Sequence, residues 1–281
     1  MGICDSMRRT FYIAGKLLPL SLERLQRMTG RYVICPFYHA VSDTPLAHIS
    51  PLYRHRTAEE FKADIEWLCS HFTPIHWFEI DAYERAQKPA FCLTFDDGLK
   101  EFYTLVAPIL ESMKVPCVCF LNSAFVDNKD LMFRYKEALR SQGMDWQAFL
   151  RTEKPYMTYD QIRDLQSRGF EFGNHSVNHP HFESLSIEEQ LEQTLECEKA
   201  LREHIRLQHR LFSFPFGHGN MNPLSIKVHK GSQEAVFGTG NMRPAGGNMY
   251  NRISMDGSGM AAKDIIRGEY LREIAHQRIH D

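Results

Sequence analysis

The chain has 281 residues, 43% of them hydrophobic and 24% charged, which is the composition of a folded protein with room for one large α/β domain or two small ones rather than a disordered chain. Its formal net charge of −2 supplies no field that would gather nucleic acid or an anionic membrane, so a nucleic-acid function is not suggested.

At the N-terminus, residues 11–20 are apolar but broken by Lys16, and no small-residue cleavage site follows, so the stretch does not read as an export signal. No apolar run reaches the roughly 18 residues that a bilayer-crossing helix needs. Residues 7–29 fit an amphipathic helix that packs on the domain or lies on a membrane face. Met1-Gly2 with Ser6 matches the N-myristoylation pattern, with Cys4 as a second lipid site. None of the seven cysteines sits in a Cys-x-x-Cys pair. Cys117 and Cys119, two apart in an apolar run, share one strand face as buried thiols. Reduced cysteines and no export signal favour a cytoplasmic protein with at most peripheral membrane contact.

Strands then alternate with helices. Residues 32–38 are an apolar run suited to a buried strand, and Thr57 with Glu60 forms a capping box that opens a helix carrying Phe61, Ile65, Leu68 and Phe72 at helical spacing. A strand is predicted over 90–95, a turn at Asp97-Gly98, a helix over 100–113 and a strand over 117–121. Residues 122–155 read as an insertion with short helices and as the place to seek specificity. Thr158 and Gln161 cap the next helix, which Gly169 ends in the left-handed region. A short strand over 170–173 follows. Ser186 and Glu189 then cap a long helix to about 207. Further strands are predicted over 211–214, 235–239 and 252–255. The alternation implies a parallel sheet, doubly wound or closed into a barrel, with function at the C-terminal strand ends.

Three clusters fall at such ends. In Thr94-Phe95-Asp96-Asp97-Gly98, two adjacent carboxylates repel each other, and Gly98 lets the backbone turn so that both face a cleft. His175-Ser176-Val177-Asn178-His179-Pro180 places two imidazoles four residues apart, a spacing suited to a metal such as zinc. Two histidines and one carboxylate leave a coordination position open, as in catalytic sites, and the second acid can serve as general base. Phe214-Pro215-Phe216-Gly217-His218-Gly219 shapes a rigid loop whose amides could meet an oxyanion.

These three ordered clusters, with Tyr38-His39 ending the first strand, resemble the first motifs of the polysaccharide deacetylase (NodB-homology, carbohydrate esterase 4-like) family over residues 32–255. The resemblance implies a distorted (β/α) barrel and a hydrolase that removes N-acyl groups, acetyl first, from an amino-sugar saccharide or its biosynthetic precursor. It implies a divalent metal, zinc foremost, with Co2+, Ni2+, Mn2+ and Fe2+ as alternatives, held by Asp97, His175 and His179. Asp96 is implied as general base, the Phe216 amide as oxyanion donor and Arg252 as the residue orienting the base. The family's late Leu-x-His is missing, as is an arginine close before Pro215, the nearest being Arg210. His39 and His218 are then the candidates for proton donor to the leaving amine. The aromatics Tyr38, Tyr53, Phe133, Tyr135, Trp146 and Tyr156 are candidates for a sugar platform, with core packing as the plainer reading. The domain reading is a helical extension over 1–30 and a catalytic domain over 31–281. Two alternatives stand beside it: a deformylase or amidase on a non-sugar amide, and a catalytically inactive carbohydrate-binding relative.

Overall fold

The computed structural model describes residues 3–219, 221–240, 242 and 246–280, without the side chains of 3–6 and 280. The lipidation pattern at Met1-Gly2, with Cys4 and Ser6, lies outside what is described. Seven short parallel strands form a closed barrel: β1 (Pro36–Tyr38), β2 (Leu93–Phe95), β3 (Cys117–Leu121), β4 (Glu171–Asn174), β5 (Leu211–Ser213), β6 (Ala235–Thr239) and β7 (Met249–Ser254). They pair in chain order, and β7 returns to β1 with Ile253 opposite Pro36. The expected (β/α) barrel is therefore the architecture.

The apolar runs at 32–38 and 90–95 each serve two sheets. Val33–Ile34 and Ala90–Phe91 pair with each other, and Thr73–Pro74 adds a third strand on the far side of Ala90–Phe91. The register does not change across the break, since Val33 faces Ala90 and Phe37 faces Thr94. What changes is the other side of the first run. Its lower half is a sheet edge, whereas the Cys35 carbonyl takes the Ile253 N–H at 2.8 Å and brings in β7.

All three capping boxes form, at Thr57/Glu60, Thr158/Gln161 and Ser186/Glu189. The Ser186 helix ends at Arg202, short of the expected 207, because Ile205 and Leu207 leave it for the core on the way to β5. On β3, Cys117, Cys119 and Leu121 face the helices, while Val118 and Phe120 belong to the cluster shared with Leu211, Ala235 and Phe237. This is the alternation of a strand with two buried faces. Gly173 on β4 makes room inside the barrel, since a Cβ there would come within 2.5 Å of the Phe120 ring.

The stretch over 122–155 carries helices Phe133–Ser141 and Trp146–Glu153, packed with Leu99, Phe125 and Tyr156 into a cluster of their own. At the N-terminus, the single helix expected over 7–29 is two, Ile3–Leu17 and Leu22–Thr29. Pro19 cannot donate a helical hydrogen bond, and Ser21 caps the second helix by accepting from the Arg24 N–H. Among the described residues no helix is long and apolar enough to cross a membrane.

The N-terminal helix crosses the C-terminal helix Ala262–His280 at glycine-to-backbone contact. A Cβ on Gly15 would lie 2.6 Å from Gly268 N, and one on Gly268 2.7 Å from Tyr12 Cα. Tyr12 donates to Glu269 at 2.9 Å, and Arg267 Nε donates to the Gly15 carbonyl at 2.7 Å. Gly268→Val therefore overpacks this crossing and is expected to destabilise by about 1–3 kcal/mol in denaturant unfolding. An unchanged midpoint would mean that the helices do not meet so closely.

Candidate active site

Every motif residue sits at, or just past, the C-terminal end of a barrel strand. Asp96 and Asp97 follow β2, His175 follows β4, the Phe214–Gly217 loop follows β5, and Arg252 projects from β7. His39, Asp96, Asp97, His175, His179 and Phe216 line one pocket of about 210 Å3. The three clusters and the first strand end are thereby brought together.

The loops that achieve this use unusual backbone. Asp97, Ser176, His179 and Phe216 all have positive φ, at 72°, 72°, 57° and 57°. A non-glycine residue in that region costs of order 1–3 kcal/mol, so its surroundings must hold it. The Asn122 side-chain amide donates to the carbonyls of His175 and Ser176, Asn174 Oδ1 accepts from Ser176 N at 2.8 Å, and Ser176 Oγ accepts from His179 N at 3.1 Å. Gly217, at φ 88°, completes the third loop against β6, where a Cβ would lie 2.1 Å from Thr239 Oγ1.

Asp96 and Arg252 form a buried bidentate pair, with both N···O distances 2.8 Å. Arg252 also donates to Thr94 Oγ1 at 2.9 Å, Ser213 Oγ at 2.6 Å and the Gly238 carbonyl at 3.2 Å, so its charge is fully partnered. Burial alone would raise the Asp96 pKa, but the Arg252 charge outweighs it, with help from His175, and holds the carboxyl well below its ordinary value.

Asp97 is held differently. Tyr135 donates to its Oδ2 at 2.9 Å, while its buried Oδ1 has no hydrogen-bond partner. Oδ1 lies 3.7 Å from both His175 Nε2 and His179 Nε2. These separations are too long for hydrogen bonds. They suit donor atoms around one small cation, whose bonds to nitrogen and oxygen are roughly 2.0–2.2 Å. His175 Nδ1 faces the Ser213 carbonyl at 2.8 Å, which fixes the tautomer and leaves the Nε2 lone pair for a ligand. Burial keeps both imidazoles neutral, pushing His175 down to about 4 against the pull of Asp96, and His179 down to about 3 with the help of nearby His39. Burial raises the Asp97 pKa, only partly offset by His39 and His175. An orphaned buried carboxylate oxygen between two neutral imidazoles is a donor set that fits a divalent ion.

His39 and His218 part company. His218 turns towards Gly238 and Asn251, where a Cβ on Gly238 would meet its Nδ1 at 2.2 Å, and it does not line the pocket. His39 does line it, and Asp256, just past β7, accepts from the His39 amide at 2.9 Å and faces its Nδ1 at 2.8 Å. Burial opposes charging His39, but the Asp256 bond and the field of Asp97 prevail and lift its pKa to about 9.

Three contributors were not found by reading the sequence. Asp256 could have been, since it lies at a strand end. The Tyr135 bond to Asp97 and the stacking of His181 on Phe216, centroids 3.9 Å apart, have no local sequence signal. Of the expected aromatic platform, Tyr53 and Tyr135 line the pocket, Tyr38 and Tyr156 are core, and Phe133 is 67% exposed. Trp146 packs against the cluster of the two inserted helices. Arg210 pairs with Glu198 at the opposite end of β5, away from the pocket.

The polysaccharide deacetylase family profile matches residues 83–234, more than half of the chain. No curated protein sequence matches it. Among solved structures, the chain is similar to a Streptococcus pyogenes deacetylase, PplD, in complex with acetate, with TM-score 0.65 and 15% identity over 84% of this chain and 97% of that one. It is also similar to a de-N-acetylase from Aggregatibacter actinomycetemcomitans, with TM-score 0.63 and 18% identity over 84% and 99% of the two chains. IcaB from Ammonifex degensii gives 0.63 and 19% over 85% and 97%. At these identities the structures speak to the fold.

Replacing Arg252 by methionine would leave the Asp96 charge buried without its partner, at an expected cost of about 3–5 kcal/mol in urea unfolding at neutral pH. Because the folded-state pKa of Asp96 is depressed, this stabilisation is present above the ordinary carboxylate pKa and is lost as pH falls below it. The gap between wild type and variant should therefore narrow in acid. A gap that is small at neutral pH would contradict the buried pair.

Proposed function

The chain belongs to the polysaccharide deacetylase family, hydrolases acting on N-acetyl amide bonds, and on that premise we propose that it frees the amine of an N-acylated amino-sugar saccharide, or of a biosynthetic precursor of one, with a divalent ion held by Asp97, His175 and His179. The observation that carries this reading is the unpartnered Asp97 Oδ1 facing two neutral imidazole nitrogens. Zinc is the first candidate, with Co2+, Ni2+, Mn2+ and Fe2+ as alternatives. When bound, such an ion acts as a Lewis acid on water and on the amide carbonyl.

The chain's own residues then divide the work. Asp96, kept ionised by Arg252, accepts a proton from the attacking water through a lone pair that Arg252 leaves free. The Phe216 N–H takes no backbone acceptor among the described residues, while the Gly217 N–H closes the turn onto the Phe214 carbonyl at 3.1 Å. That arrangement suits Phe216 as a donor to the carbonyl oxygen as it gains negative charge. His39 holds Asp256 through Nδ1, leaving Nε2 to protonate the departing amine. The acyl group leaves as a carboxylate and the sugar as a free amine. His39 thus takes the role for which the late Leu-x-His is missing.

The deciding experiment is metal content after reconstitution, for wild type and His175→Ala/His179→Ala, together with acetate release from N-acetylated sugars. Metal bound by wild type alone, with acetate released only by it, is the expected result. Equally little metal in both would overturn the site. Metal without acetate from any N-acetylated sugar, but with formate or another acid from a non-sugar amide, would replace the substrate assignment. In Asp96→Asn, metal should be retained while turnover falls by about 10²–10⁴-fold, the usual range for losing a general base.

The pH dependence tests the donor. Against the effect of burial, the Asp256 bond lifts the His39 pKa above its ordinary value, which favours the protonated form at neutral pH, and that form is lost as pH rises through the lifted value. Asp256→Asn removes the largest raising contribution, so the alkaline limb of kcat/KM should move to lower pH. A limb that stays where it is in Asp256→Asn would exclude His39 as the acid.

A further inference from the structure

The N-terminal helix Ile3–Leu17 spends its inner face on the C-terminal helix through Tyr12 and Gly15, yet its outer face is also apolar. Met7, Ile13, Leu17 and Leu18 are 60%, 46%, 73% and 43% exposed. At 100° per residue, Ile13 and Leu17 form one row a turn apart, and Met7, Ala14 and Leu18 form the adjacent row, so the exposed groups make one stripe opposite Tyr12. Arg9 and Lys16, seven residues apart and both exposed, lie along the border of that stripe beside Ile13. The whole-chain charge of −2 conceals this, because residues 1–31 hold six Lys and Arg against two acids.

We propose that this stripe is a docking surface for an anionic lipid bilayer, with the apolar rows entering the headgroup boundary and Arg9 and Lys16 meeting lipid phosphates. Long basic side chains beside an exposed apolar stripe are the arrangement of helices that lie in an interface. A second copy of the chain fits less well, since paired helices would bring together two rows that each carry Arg9 and Lys16 against the single acid Asp5. The helix packs on the C-terminal helix, and its Arg8 donates to the Gly240 carbonyl at 2.7 Å, one residue past the pocket-lining Thr239. Docking would therefore hold the catalytic end of the barrel close to the membrane. This surface is independent of the metal site and of the reaction assigned above.

The test is co-sedimentation of the full chain with vesicles of phosphatidylcholine alone and of phosphatidylcholine with phosphatidylglycerol. Wild type should pellet with the anionic vesicles and be released by added salt. Ile13→Glu/Leu17→Glu and Arg9→Glu/Lys16→Glu should each lower partitioning by about tenfold or more, given the usual worth of a basic residue at an anionic surface. The replaced side chains are exposed, so thermal unfolding should stay unchanged, as should turnover of a soluble substrate. Equal partitioning to both vesicle types, no partitioning at all, or variants that bind like wild type would overturn the proposal. So would light scattering that finds a dimer which Leu17→Glu dissolves.

Discussion

The charge of Arg252 stands in the middle of the barrel, and much of the structure follows from accommodating it. An isolated guanidinium there would be prohibitively costly. Arg252, on β7, bonds to Asp96 and Thr94 at the end of β2, to Ser213 on β5 and to the Gly238 carbonyl on β6. Its guanidinium also lies 4.4 Å from the Phe37 ring centroid on β1 and 5.4 Å from that of Phe120 on β3. One side chain thus makes contact across the barrel to strands that are far apart in the chain. Buried ion pairs are seldom net sources of stability, because desolvation offsets the attraction. What this one does is fix the place and the charge of a carboxylate at the mouth of the barrel.

A second constraint works outward from Asp97. Its Oδ2 depends on Tyr135, which belongs to the cluster formed by the two inserted helices with Leu99, Phe125 and Tyr156. The insertion is therefore part of the support of the site as well as its wall. A carboxylate oriented by a buried phenol cannot turn away from the two imidazoles, and pre-orientation of this kind is what partners behind a ligand provide. The positive-φ residues in the three loops tell the same story from the backbone. In the His175–His179 loop that strain is held by Asn122, Asn174 and Ser176, none of which lines the pocket itself.

The barrel strands, the three capping boxes and the three motif loops were legible in the sequence because each is encoded within a few neighbouring residues. Alternation, cap spacing and a glycine after paired acids are local facts. The break of the first apolar run at Cys35 was not legible, since it arises where β7, more than 200 residues away, takes over one side of the strand. The same holds for the Tyr135 bond to Asp97 and for the choice between His39 and His218. Both histidines lie near strand ends. Only packing turns one into the pocket beside Asp256 and the other towards Gly238.

A closed barrel also explains how a donor could come from the first strand when the expected one near the end of the chain is missing. In an open sheet, β1 and β7 would be distant edges. Here they pair, with Ile253 opposite Pro36 and Ser254 opposite Phe37. The residues just past their ends, His39 and Asp256, therefore meet across the seam where the ring closes, and they do so through two contacts to one carboxylate oxygen. Position around a ring has no beginning, so a group supplied from either side of that seam can reach the same part of the pocket. If the proton donor is His39, the order of residues along the chain matters less to this chemistry than their order around the barrel.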